Sequence, residues 1–582
     1  PGRDNITLEE VKKRYKEASN DFYKKRYAYQ LLVMGFYRQD YHTFNIFYQK
    51  HFNLRKNTSP IDWWAHHYKS MVLETEGKQD SANFYHALVF SNSTAKMMVS
   101  KRAFSTKNIE ATIRLGQTGE EKADVLVLKE IINPGRSLEG IEKIMELAPA
   151  HKHLPLLLSR EINKIEDWLG TPKYNNTVPS TQFWKDWYGE KQYQQSNWKK
   201  DLIYAKDLSR FLEQQQSLKQ VFPEFYHLCL ASLYLITNDL KSGYDHLSMI
   251  RSNEPEVQYQ ETLLRTIALG LEDVKSQHIQ ENMGLNLKWL LENRHKSFES
   301  QKRLLSLCNF LKYRFEKEEL RHLAGLFDNY ASNKLCYTCR WNSLEYSQIK
   351  YFDQYASPED IEKLIRVFQK EKKNALEMIL LKPFRYADSF YDILSTLYLR
   401  KGNIKKAREA IKNVRDTFWL INDIAMNALD ADPFFQNREL LMPQTLDRMG
   451  KKEIINRMFL LENEAESNSD KRVHNYFLLG NVWYNFTDNS DYMLSYGTGS
   501  EDPIFNRNCR FAWKMAVTYY KKSLAHTRDA EMRSKLLYML SVCYKNLGDK
   551  QQFAQQAQAF ILNGKTAFYT KRNCVTIEDL RF

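Results

Sequence analysis

Between residues 389 and 411 the chain reads SFYDILSTLYLRKGNIKKAREAI, and this punctuation leaves few folds open. Tyr391, Leu394, Ser395 and Tyr398 recur at i, i+3, i+4 and i+7, one face of an α-helix. Gly402-Asn403 then suits a left-handed helix end, where a Cβ would otherwise clash. Ala407, Ala410 and Ile411 carry the apolar stripe of a second helix. A small residue at Ser395 predicts close approach of that antiparallel partner. The unit reads as a helical hairpin with tightly packed backbones.

The pattern recurs along the chain. Residues 226–247 place Leu230-Ala231 and Tyr234 before Asn238-Asp239, with Gly243 and Leu247 beyond. Residues 536–560 give Leu540-Ser541 and Tyr544, a break at Gly548-Asp549, then Phe553, Ala554 and Ala557. Residues 476–486 supply Leu479-Gly480 and Trp483-Tyr484, with a second helix expected only at 511–525. Near the N-terminus, 26–52 breaks at Gln39-Asp40, and 63–90 has Ser70, Leu73, Gly77 and Ala82 in corresponding places. Pro (14) and Gly (20) are scarce in the 582 residues, as expected when few tight turns are needed. Apolar residues make up 43%, enough to bury a large core.

These stretches resemble tetratricopeptide repeats, including the Leu-Gly-x-x-Tyr core and a helix-B alanine. Val33 and Ser70 are separated by about the 34-residue period of that family. The resemblance implies an all-α fold, a TPR-like α-solenoid of degenerate helical hairpins with long inserted loops. Helical stretches at 110–132 and 283–315 lack the motif, and a globular helical bundle is the competing architecture.

Interruptions divide the chain into an N-terminal array over 1–169, an aromatic-rich insertion over 170–198, a central array over 199–426 and a C-terminal array over 427–582. The last carries an inserted loop at 487–508, and 429–450 is a further loop candidate. Loops this long inside a compact array bind something or are disordered. Trp184, Trp187 and Tyr188 in the first insertion, and Tyr492 and Tyr496 in the second, are therefore the candidate partner- or ligand-binding residues. The alternative for Phe183, Trp184, Trp187 and Tyr188 is a helical face docked into the array.

Chemistry is weakly signalled. Cys336-x-x-Cys339 lacks both a neighbouring βαβ pattern and a second ligand pair, so it reads as two thiols at a helix–loop junction or a labile disulfide. His151 and His153, with Glu161 beyond, lack a third ligand at metal-binding spacing. His66-His67 beside Trp63-Trp64 reads as aromatic packing. Phosphate-loop, dinucleotide, zincin and nucleophile-elbow motifs are missing. The expectation is no catalytic residue, no cofactor and no metal. The charge of +14, from 85 basic and 71 acidic residues, favours acidic partners without demanding nucleic acid. No apolar run is long enough to span a membrane.

Residues 82–93, 154–169, 389–411 and 476–486 further resemble large helical surface or periplasmic lipoproteins of Bacteroidota-type bacteria. That resemblance implies a non-enzymatic, protein-binding scaffold in the cell envelope, outer-membrane-associated or periplasmic, within a secretion, transport or assembly complex. It also implies an N-terminal lipid anchor removed from view by processing, since the chain opens on Pro1. RYAYQLLVMGFY (26–37) is similar to the early helix of SusD-like glycan-binding lipoproteins, which makes glycan binding the second function. The Gly-rich turn that follows in that family is missing here.

Overall fold

The computed structural model describes residues 7–54, 59–175, 191–293, 298–332, 344–421, 432–435, 440, 449–487, 493–494 and 503–571. It is all-α: the described residues form thirty helices and no strand, compatible with a helical-repeat protein. None of these helices is long and apolar enough to cross a membrane. The chain divides into two compact units, 1–268 and 269–582.

One turn design builds the hairpins. Among the described residues, seven have a positive φ, and six of these lie between paired helices: Gln39, Gly77, Asn238, Glu319, Gly402 and Gly548. In each case the next residue's N–H returns to the carbonyl five positions back. Asp40 reaches Gly35 at 2.9 Å, Lys78 reaches Leu73 at 2.9 Å and Asp239 reaches Tyr234 at 2.8 Å. Leu320 reaches Phe315 at 2.9 Å, Asn403 reaches Tyr398 at 3.0 Å and Asp549 reaches Tyr544 at 3.0 Å. This is the Schellman closure, which satisfies carbonyls orphaned at a helix end. In four turns the same residue starts the next helix. The side chains of Asp40, Asp239, Asn403 and Asp549 accept from the backbone N–H of Thr43, Ser242, Lys406 and Gln552 at 2.9–3.1 Å.

Ser395 shows why a small polar residue sits at the hairpin interface. It is fully buried, and its hydroxyl donates to the Ala407 carbonyl of the partner helix at 2.9 Å. Gly480 performs the close approach between Ser469–Asn485 and Pro503–His526. A Cβ there would lie 2.4 Å from the buried Tyr520 ring, whose hydroxyl donates to Asn481 Oδ1 at 2.9 Å.

Two elements differ from the sequence expectation. The helix expected at 511–525 begins at Pro503, where proline's missing N–H costs nothing in a first turn. Its extension is held by Asn508 Nδ2, which donates to the Leu494 carbonyl at 2.7 Å, and by buried Cys509. The stretch 283–315 holds part of a further hairpin, Phe298–Lys317 with Arg321–Ser332. Its left-handed residue is Glu319, a type that does not advertise a turn.

A non-glycine residue in the left-handed region costs about 1–2 kcal/mol, partly offset by the entropy glycine loses on folding. Glu319→Gly is therefore expected to raise stability by about 0.5–1 kcal/mol, and Gly402→Ala to lower it by about 1–2 kcal/mol, in urea denaturation. Equal midpoints for both variants and the parent would refute this turn assignment.

Packing within each unit is mostly between chain neighbours. In the first, Asp21–Tyr37 packs on Tyr41–His51 and on Pro60–Thr75, which packs on Gln79–Asn92. In the second, Lys451–Ser467, Ser469–Asn485, Pro503–His526, Ala530–Leu547 and Lys550–Leu562 each pack on the next. A departure from this order joins Gln277–Glu292 to Ala375–Leu381. There Asn374 Nδ2 donates to Gln280 Oε1 at 2.8 Å, and Ala375 N–H to Glu281 Oε2 at 2.7 Å.

Candidate functional site

Trp184, Trp187, Tyr188, Tyr492 and Tyr496 lie outside the described residues, as do Cys336 and Cys339. The helices Leu154–Asn175 and Lys191–Glu213 reach into both ends of the span expected as an insertion.

Three of the four histidines singled out in the sequence, His66, His151 and His153, have hydrogen-bond partners, whereas His67 Nδ1 is buried without one. His151 Nε2 is 3.0 Å from Asp124 Oδ1, and its Nδ1 accepts from the His153 N–H at 3.3 Å. His153 Nε2 is 3.2 Å from the Ser91 carbonyl oxygen, so it donates there. His66 Nδ1 is 2.8 Å from the Tyr48 hydroxyl, and Trp63 meets the His66 ring edge-on. Glu161 belongs to a different cluster, accepting from the Tyr204 hydroxyl at 2.5 Å and the Ser137 N–H at 3.1 Å. Among the described residues no three His, Cys, Asp or Glu side chains gather as a metal site would require.

Two surfaces of the first unit carry more side-chain chemistry than packing needs. The first is aromatic. Asp21–Tyr37 and Pro60–Thr75, first helices of consecutive hairpins, present Tyr29, Phe36 and Tyr37 beside Trp64 and Tyr68. Ring centroids lie 6.1 Å apart for Tyr29–Trp64, 5.2 Å for Phe36–Tyr68 and 6.1 Å for Tyr37–Tyr68. Lys96 Nζ stands 5.8 Å from the Tyr68 centroid, within cation–π range. Tyr37 is 73% exposed, and Trp64 Nε1 is buried without a hydrogen-bond partner. Burial raises the Tyr29 phenol to about 12.

The second is an open cleft of about 530 Å³. One wall is a face of Leu154–Asn175, whose Leu156, Ser159, Arg160, Asn163, Lys164 and Asp167 follow helical spacing. The opposite face of that helix anchors it through buried Leu157, Leu158, Ile165 and Trp168. Phe90, Met97, Met98 and Ile131 supply apolar surface from three other helices, and Lys101 a cation.

The cations are not equivalent. Lys164 is buried and saturated: its ammonium pairs with Glu161 and donates to the Gly135 carbonyl at 2.5 Å and to Ser137 Oγ at 3.2 Å. Burial holds its pKa below the usual lysine value, against the pull of Glu161. Arg160 Nη2 donates to the Asn133 carbonyl at 3.3 Å, while its buried Nε has no partner. The Asp167 carboxylate, the one acid on the wall, accepts from the Thr171 hydroxyl at 2.9 Å.

The helical spacing from 156 to 167 was present in the sequence, but it signals only a polar helix face. The residues opposite it, Phe90 and Met97–Met98, come from distant positions. No family model matches the chain, and no curated protein or solved structure is significantly similar to it.

Proposed function

We propose that this chain is a non-enzymatic protein-binding scaffold built from degenerate TPR-like hairpins. It would act as an outer-membrane-associated or periplasmic subunit of a bacterial envelope complex for secretion, transport or assembly. The observation that carries the binding role is the ring cluster Tyr29, Phe36, Tyr37, Trp64 and Tyr68 on consecutive first helices. Aromatic groups give much contact area for little conformational entropy, which suits protein recognition. The cellular setting rests on the sequence resemblance alone.

The same rings favour a second reading, a glycan-binding protein, because sugar faces stack on aromatic ones. Affinity isolation of the tagged chain in mild detergent, beside a glycan-array screen, separates the two. The scaffold reading expects a defined protein partner that is lost, with helicity retained, in Tyr37→Ser/Tyr68→Ser. Array binding that the same double variant abolishes, without any protein partner, supports the glycan reading. Isolation of the bare chain with no array signal sinks both.

A further inference from the structure

The geometry points to the cleft beside Arg160 as the docking site for an acidic, apolar peptide segment of the protein partner, an inference that rests on the scaffold reading. The apolar part of the surface is unusually open for such side chains, with Met98 54% and Leu156 45% exposed. Methionine is unbranched and polarizable, so Met97 and Met98 can adapt to a partner's side chain. Phe90 and Ile131 complete the apolar part of the lining.

Charge sets the polarity of the occupant. Lys164 turns its ammonium toward Glu161, Gly135 and Ser137, so its charge is compensated from within. Lys101 and Arg160 remain. Among the described residues neither has an acidic partner, and the Arg160 guanidinium leaves Nε unbonded in a buried position. A carboxylate suits a lining that holds both a guanidinium and an ammonium, and Asp167 on the same helix as Arg160 disfavours its placement at that end. A segment that sets a glutamate or aspartate next to large apolar side chains satisfies both halves of the cleft. The excess of basic residues over the whole chain draws such a segment in.

Three arms test this. The peptide acetyl-Leu-Phe-Glu-Leu-Leu-amide, followed by calorimetry or chemical-shift titration, is expected to bind at least tenfold more tightly than its counterpart with Gln for Glu. Tenfold corresponds to about 1.4 kcal/mol, the scale of one charge-assisted hydrogen bond. Lys101→Gln/Arg160→Gln is expected to erase that preference while leaving helicity unchanged. Equal affinity for the two peptides, no peptide binding, or tighter binding of sodium dodecanoate than of the acidic peptide overturns the assignment. In the affinity isolation, a partner retained by Lys101→Gln/Arg160→Gln overturns the cleft and leaves the scaffold standing. A wild-type chain that captures nothing removes the scaffold itself.

Discussion

Lys451→Met is expected to cost about 3–5 kcal/mol of stability, the scale of breaking a buried ion pair from one side. Lys451 is nearly enclosed, and its ammonium lies 2.6 Å from both Asp392 Oδ1 and Thr396 Oγ1. It joins the first helix of the 388–411 hairpin to the Lys451–Ser467 helix. Burial lowers the lysine's pKa, and Asp392 opposes that shift. Methionine keeps the volume but removes the ammonium that the buried Asp392 carboxylate faces. The double variant Lys451→Met/Asp392→Leu removes both charges and is expected to recover most of the loss. Urea midpoints for parent, single and double variants decide the matter. A single variant within about 1 kcal/mol of the parent would show that the pair is dispensable.

Acid is the second large lever. Burial is the main cause that brings His66, His67 and His322 to about 4, with Lys25, Lys96 and Lys363 respectively adding repulsion. Folded, these rings stay neutral where unfolded ones, titrating near 6.5, take up protons. Their contribution is therefore fully present above pH 6.5 and is lost as the pH falls from 6.5 towards 4. Allowing for residual solvent contact, each is expected to withdraw roughly 1–2 kcal/mol over that window. Melting temperature should be flat from pH 8 to 7 and drop steeply between pH 6.5 and 5, before most carboxylates titrate. His66→Gln/His67→Gln keeps polar side chains without the titration, so its profile should be shallower. Parallel profiles for variant and parent would assign the acid lability elsewhere.

The sequence exposes the hairpins because their turns depend on residue type. Gly77, Gly402 and Gly548 tolerate the left-handed conformation, and Asn238 and the capping aspartates are locally chosen. Glu319 adopts the same conformation without such chemistry, so its hairpin could be found only in three dimensions. Lys451 and Asp392 are equally silent, since an ion pair between helices far apart in the chain has no spacing rule. The cleft was half visible: 156–167 declared a polar face, and nothing in the chain order placed Met97 and Met98 against it. The aromatic residues that composition brought forward were Trp184, Trp187 and Tyr188. Trp64 reads in the sequence as aromatic packing beside His66-His67, and Tyr37 and Tyr68 carry no signal of their own, because which rings meet is a property of the fold.

The hairpin turns leave little room for error in length. At Asp40, Asp239, Asn403 and Asp549, one residue's N–H finishes a helix while its carboxylate or amide opens the next. Adding a single amino acid there would separate two duties that now share one position, and both helix ends would fray together. Growth of the chain is thus steered away from these corners and into the joins between one hairpin and the next, where new segments can be acquired without dismantling old ones.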